Sequence, residues 1–339
     1  MSEPVKWGIL STAGIAQGRV IPAMQAVPNC SVGAIASRNE DSARAVADKL
    51  GIKRAYGSYE ALLADPEIEA VYIPLPNHMH VEWCTKAMEA GKHVLCEKPI
   101  AMSAEEASSL LAVRDRTGKF IEEAFAIRNH PQWKAMRDLV TSGEIGDIRY
   151  VQTTMCADNR NPNDIRNKAD VGGGSLYDQG SYCITGARYV FGEEPTRAVG
   201  LMDIDATFKT DRLTSAILEF PSGQAVFTVS MQAGPSGGGS HQHFSVVGST
   251  GWIRAEFPFA HGTPTACRLF IGHDKSVGTK PAREIDFPAI NQYSAQGERF
   301  SRLIRGENVE QFPLETAINN MRVIDALFRS AKAGGWEKV

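Results

Sequence analysis

The chain has 339 residues, enough at about 100 to 200 residues per domain for two domains with separate cores. Apolar residues make up 43% of it and charged ones 22%, a globular composition that excludes disorder, collagen and coiled coil. Its 36 Lys and Arg against 39 Asp and Glu leave a net charge of −3, without the basic excess of a protein that wraps phosphate backbones, so nucleic acid is not an expected partner.

In chain order, Val5 to Leu10 reads as a strand, and Ile15 to Val27 as the helix after it. The alternation repeats with Val32 to Ala36 and Asp41 to Leu50, then Ala70 to Leu75 and His80 to Ala90, then His93 to Cys96. Short apolar runs alternating with helical patterns predict βαβ units and a doubly wound parallel sheet. Ser103 with Glu106 three residues on is a capping-box pattern opening a helix to about Arg116, and Gly118 stops it. From about Arg128 the pattern changes. Helices are expected at Pro131 to Ser142, Gly174 to Phe191 and Leu314 to Ala333, around antiparallel hairpins within 211–273, as at Leu218 to Val226 and Val247 to Ile253. Ala225, Phe227, Val229 and Met231 alternate with Val226, Thr228, Ser230 and Gln232, giving one apolar and one mixed face. These patterns set the expected domains at 1–124 and 125–339.

The six cysteines lie far apart with no C-x-x-C pair, which fits reduced thiols in a cytoplasmic compartment. Met1 to Lys6 runs straight into the first strand, leaving no room for a signal core, and no segment is a membrane span. His78 and His80, or His241 and His243, lack the further ligands a metal needs, so no metal is expected.

A dinucleotide site needs a tight small-residue turn after the first strand, so that the backbone approaches the pyrophosphate and a helix N-terminus faces its charge. Ser11-Thr12-Ala13-Gly14-Ile15-Ala16 stands there, with Ser11 and Ala13 where G-x-G-x-x-G/A has its leading glycines. Such a turn is equally a plain strand-to-helix connection. Its position raises its weight: about 21 residues on, where an NAD enzyme places an acid on the ribose, the chain has Ser37-Arg38. A hydroxyl and a guanidinium accept a 2′-phosphate, so the expected cofactor is NADP, with NAD as the alternative. The expected cofactor contacts are Ser11, Thr12, Ala13, Ile15, Ser37, Arg38, Leu75, Asn77, His80, Glu97, Lys98 and Arg166.

Glu97-Lys98-Pro99 ends a strand of the parallel sheet, and ligands of such sheets bind beyond the carboxyl ends of the strands. Pro99 restricts Lys98 to extended backbone and permits a cis bond. In Gly172-Gly-Gly-Ser-Leu-Tyr-Asp178-Gln-Gly-Ser-Tyr182, the carboxylate and phenol are four apart and share a helix face.

Glu97-Lys98-Pro99, the segment 172–184, Ala187 to Pro195 and Asn291 to Gln296 together resemble the Gfo/Idh/MocA family of oxidoreductases. The resemblance spans nearly the whole chain; Glu123 to Pro131 is most similar to the D-xylose dehydrogenase and dihydrodiol dehydrogenase branch, and Gly172 to Pro195 to glucose-fructose oxidoreductase. It implies a Rossmann domain and a C-terminal α/β domain whose large, mostly antiparallel open sheet commonly forms a homodimer or homotetramer interface. It also implies that Lys98, Asp178 and Tyr182 face nicotinamide and substrate, and that Tyr182 stands where inositol dehydrogenases have His; Arg128, just after the domain junction, is a further expected substrate contact from its position alone. Removing a carbinol proton during hydride loss suits these groups. A free tyrosine is only about 0.1% ionised at pH 7, a cost of roughly 4 kcal/mol. An ammonium within ~4 to 6 Å lowers that pKa by about 1 to 3 units, the role expected of Lys98; Lys98 as the proton carrier itself is the alternative. Asp178 is expected to orient a sugar hydroxyl or to balance Lys98. The expected activity is oxidation of an aldose or polyol with NADP; the competing expectations are a carbonyl reductase or dihydrodiol dehydrogenase, and a nucleotide-binding regulator without turnover. His130 and Tyr293 are weaker site candidates, and the substrate is expected to meet 157–168 and 234–243.

Overall fold

A computed structural model of the chain describes residues 3–234, 239–259, 264–273 and 281–339. They form two compact units: residues 1–129 with 291–318, and residues 130–290 with 319–339. The chain therefore crosses between units three times, where the sequence suggested one cut after residue 124; residues 291–318, expected in the second domain, pack with the first.

In the first unit, β1 (Val5–Leu10), β2 (Cys30–Ala36), β3 (Arg54–Tyr56), β4 (Ala70–Ile73), β5 (His93–Cys96) and β6 (Ile121–Glu123) form a parallel sheet in the order β3-β2-β1-β4-β5-β6. All four residues of β4 are buried, as in a sheet covered on both faces. The order reverses between β1 and β4, and a crevice at such a switch point is where sheets of this kind take their ligands. The connecting helices carry local start signals: Asn39 accepts from the Ser42 amide ahead of Glu40–Leu50, and Ser103 accepts from the Glu106 amide ahead of Ala104–Thr117. Two expectations shift. The helix after β1 is a π-helical turn, Ala16–Val20, that becomes α-helical over Ile21–Gln25, and β3 with the short helix Tyr59–Leu63 fills a stretch without predicted elements. The returning helix Gln292–Ile304 completes the core: Phe300 is fully buried against Trp7, whose indole N–H donates to Ser301.

In the second unit, β7 (Ile148–Ala157), β8 (Arg197–Ile204), β9 (Asp211–Phe220), β10 (Gly223–Ser230), β11 (Ser240–Gly248), β12 (Trp252–Ala255), β13 (Cys267–Gly272), β14 (Arg283–Phe287) and β15 (Glu337–Lys338) form a sheet ordered β14-β13-β12-β11-β7-β10-β9-β8-β15. Both expected hairpins are present, β9 with β10 and β11 with β12. Among the described strands, the one parallel pairing, β7 with β10, joins them at the centre. Ala225, Phe227, Val229 and Met231 are buried as the alternation requires, while Val226 and Thr228 are half-buried. Ser230 departs from the pattern: it is buried, and its hydroxyl donates to the Arg212 carbonyl. The helices Pro131–Thr141 and Leu314–Ala333 lie close to their expected bounds. Among the described residues, no helix is long and apolar enough to cross a membrane.

Candidate active site

Four turns at the carboxyl ends of β1, β2, β4 and β5 bring the first unit's predicted residues to one edge of its sheet. After β1, Ser11 has φ 142°, a conformation natural to the glycine it replaces and strained for a side chain. Its hydroxyl accepts from the Ala13 amide at 3.1 Å, and Thr12 and Ala13 offer their carbonyls to Gln17. The chain becomes helical at Gly14, so a helix N-terminus faces the switch point, an arrangement suited to a pyrophosphate. After β2, Ser37 is half-buried and Arg38 is exposed, with no carboxylate between them. Tyr59 joins this group. Its phenol meets the Ser11 hydroxyl and the Arg38 charge, while burial pushes its pKa up from the ordinary 10.

Lys98 follows β5 on a backbone fixed by three buried or half-buried side chains. Tyr72 donates to the Glu97 carboxylate at 2.5 Å, and that carboxylate's other oxygen lies 3.3 Å from the Lys98 amide. The Ile100 amide donates to the buried Glu123 carboxylate at 2.9 Å. The ring nitrogens of fully buried His80 lie 2.7 Å from the Pro99 carbonyl and 2.8 Å from the Leu75 carbonyl, tying the turn after β5 to the turn after β4. The Lys98–Pro99 bond is cis.

In the second unit, Asp178 lies in a π-helical turn, Leu176–Gly180, that runs directly into the α-helix Ser181–Phe191 with Tyr182 near its start. Arg166 bridges two carboxylates, its Nε 3.1 Å from Asp178 and its Nη1 3.3 Å from Asp164. The preceding glycines permit this. A Cβ on Gly173 would stand 2.6 Å from the Arg166 carbonyl oxygen, and Gly174 adopts φ 118°. The Tyr182 ring is buried edge-on to Phe259, in a cluster with Trp133 and Phe244.

Three predicted residues are held by contacts within their own unit. His80 is fully buried with both ring nitrogens against backbone carbonyls, which ties it to the Lys98 turn. Arg128 is 5% exposed, stacked between Phe125 and Phe312 and donating to the Glu123 carbonyl. Arg166, its side chain 40% exposed, is held by two carboxylates and supplies Asp178 with a cationic partner. The Leu75 side chain and Ile15 pack inward, Asn77 opens the turn after β4 half-buried, and Tyr293 packs near Glu97 and Arg19. Residues 235–238 of the expected substrate segment lie outside the described residues. Among the described residues no three His, Cys, Asp or Glu gather as a metal site. Tyr59 was missed because it opens a five-residue helix, Tyr59–Leu63, too short to show a period.

A doubly wound sheet with these turns at its switch point, joined to a unit presenting a carboxylate and a phenol one turn apart, defines a two-domain nicotinamide-nucleotide oxidoreductase. Residues 5–125 match an oxidoreductase family with an NAD-binding Rossmann fold, and residues 133–254 match the GFO/IDH/MocA C-terminal domain. The chain belongs to the Gfo/Idh/MocA family of oxidoreductases. It is 46% identical to an uncharacterised oxidoreductase of Rhizobium meliloti over 99% of both chains. To a D-xylose 1-dehydrogenase (NADP(+)) of Haloferax volcanii it is 37% identical, over 97% of this chain and 98% of that one. Among solved structures, a 3-ketoreductase from Actinomadura kijaniata in complex with NADP and TDP-benzene is similar with a TM-score of 0.87 and 28% identity, covering 97% of this chain and 98% of the other.

Proposed function

We propose that the protein is an NADP-preferring dehydrogenase acting on the CH–OH group of an aldose or related polyol. The observation that carries this reading is the fixed lysine: Lys98 stands at the carboxyl edge of the sheet on a backbone held by His80, Glu123 and Glu97. Such immobilisation suits an ammonium that must polarise one oxygen and costs little reorganisation at the moment of reaction. Ser37, Arg38, Tyr59 and the helix starting at Gly14 fit a nicotinamide nucleotide with a 2′-phosphate, which when bound supplies the hydride acceptor. The chain's own residues then manage the proton. Tyr182 removes it from the carbinol, Lys98 favours the ionised phenol and polarises the substrate oxygen, and Asp178, oriented by Arg166, accepts a hydrogen bond from a neighbouring sugar hydroxyl. The relative named as an NADP-dependent D-xylose dehydrogenase supports the substrate class. Solved variants of the similar ketoreductase replace one lysine and one tyrosine, separated in that chain as Lys98 and Tyr182 are in this one.

The likeness to a ketoreductase supports a second direction, reduction of a ketone on a sugar ring, for which the same groups serve in reverse. We assign self-association to the open face of the second sheet, where Val199, Ile217 and Val226 align across three strands and Leu201 is 76% exposed. Six buried free thiols support a reducing, cytoplasmic setting.

The test is reduced-nicotinamide formation on a panel of aldoses, polyols and cyclitols with NADP and NAD separately, using the intact protein, Lys98→Met and Tyr182→Phe. Turnover of a sugar with NADP, lost in both variants, is the expected result. Cofactor binding without turnover in either direction would make the protein a regulator and sink the reading.

A further inference from the structure

The helix bearing Asp178 and Tyr182 starts without a cap of its own. Ser175 has helical backbone angles and its side chain makes no capping bond, so the first N–H groups need acceptors from elsewhere. One comes from β9, 35 residues on: the Asp211 carboxylate, 4% exposed, accepts from the Leu176 amide at 2.8 Å and from the Thr214 hydroxyl at 2.6 Å. Around this contact the same turn is fixed to the sheet at further points. The Ser175 hydroxyl donates to the Asp211 backbone carbonyl at 2.8 Å and accepts from the Met231 amide at 2.9 Å, and the Gln179 side-chain oxygen (Oε1) accepts from the Ser230 amide at 3.1 Å. The carboxylate also dictates a residue. A Cβ on Gly174 would stand 2.0 Å from its Oδ1, so only glycine fits beneath it.

We propose that Asp211 is a positioning residue for the reaction, its buried carboxylate setting the height and rotation at which the π-helical turn presents Asp178 and Tyr182. A side-chain cap supplied by the helix itself would move with the helix. An acceptor on β9 instead references the helix to the sheet. Leu176, which the carboxylate holds, is two residues from Asp178 and six from Tyr182, within one to two helical turns, so a slip at the amide moves both groups together. Because remote misplacement by about 1 Å can cost 10²-fold in rate, such a reference affects turnover more than binding. Burial pushes the Asp211 pKa up to about 6, while hydrogen bonds from Thr214, Leu176, Ser175 and its own amide pull it back, as befits a carboxylate surrounded by donors.

This rests on the dehydrogenase reading, and its test separates the two. Asp211→Leu removes the acceptor at similar volume; Asp211→Asn keeps one carbonyl oxygen for the Leu176 amide. We expect kcat to fall at least tenfold in Asp211→Leu with the KM for NADP within twofold, since all the expected NADP contacts except Arg166 are in the other unit. We expect Asp211→Asn to recover kcat to within threefold. A folded Asp211→Leu protein with kcat within twofold of the parent overturns the proposal, as does a parallel rise in the KM for NADP, or an Asp211→Asn protein as impaired as Asp211→Leu. Should Asp211→Leu fail to fold, Thr214→Val removes one donor from the same carboxylate; a kcat lowered about threefold at constant KM supports the proposal and an unchanged kcat overturns it. Amide exchange across 174–182 is read in parallel, without any substrate. Exchange at least tenfold faster in the variant that folds supports the clamp, and unchanged exchange overturns it. If the intact protein turns over no substrate, the functional reading falls and the exchange measurement alone decides the clamp.

Discussion

The two units hold their candidate groups by different means. In the first, Ser11, Arg38, Leu75 and Lys98 sit on turns leaving neighbouring parallel strands, so their common location follows from strand order, and buried His80 and Glu123 only tighten it. In the second, Asp178 and Tyr182 ride on a helix tied to the Asp211 carboxylate of β9 and to the amides of Ser230 and Met231 at the end of β10. The first unit's group is inherited from a repeating βαβ pattern; the second unit's is assembled by contacts remote in sequence. Pattern-based groups should tolerate substitution of their surroundings and fail when they themselves are changed. Assembled groups should fail from a distance.

The strongest way to break this comparison is at Lys98. Lys98→Met should lower kcat about a thousandfold, within the range of a lost acid–base or polarising group, with thermal unfolding unchanged; this is read by initial rates and calorimetry. Next in size is an opposition in pH response. Asp211 has a folded pKa of about 6 against an ordinary 3.8, so the folded state binds the extra proton and stability falls as pH rises from about 4 to 6, by about 3 kcal/mol in total. Burial instead lowers the His80 pKa below its ordinary 6.5, so its contribution is lost as pH falls below about 6.5. Denaturant unfolding of the parent and Asp211→Asn between pH 4 and 7.5 should show the parent losing relative stability as pH rises; parallel curves would refute this.

Smaller effects sharpen the pattern-based side. Arg38→Ala should raise the KM for NADP about tenfold or more, the loss of roughly 1.5 to 3 kcal/mol of charged hydrogen bonding, and leave the KM for NAD nearly unchanged. Steady-state kinetics with both cofactors measures it. Ser11→Gly should relieve the φ of 142° and raise stability by about 1 kcal/mol, seen as a higher Tm, even though the hydrogen bond to the Ala13 amide is lost.

The same division explains what the sequence made legible. The capping pair Ser103 and Glu106, the hairpin around Pro221 to Gly223 and the helix Leu314–Ala333 depend on residues a few positions apart, and each formed close to where its local signals put it. Lys98 and Ser37-Arg38 were visible because strand ends are visible. The protein partners of His80, Arg128 and Arg166 were not legible for a common reason: in sequence, a polar residue near a strand end or helix start looks the same whether it meets a ligand or a backbone carbonyl, an aromatic ring or a carboxylate. Asp211 gave no signal at all. Its partner amide is 35 residues away, and only the packed turn brings the two together.

The return of residues 291–318 to the first unit has a consequence for how the molecule is made. During synthesis the amino-terminal sheet emerges whole long before Phe300, Ser301 and Arg299 exist, yet Trp7 needs the first two to be covered and Glu122 needs the third to be neutralised. Until residues 299–301 leave the ribosome, the nascent chain carries an indole without its lid and an acid without its base, the kind of exposed intermediate that chaperones shelter. A fragment ending at residue 124 would be trapped in that state permanently. The unit with the parallel sheet starts before the second sheet is made and is completed only after β7 to β14 have followed it.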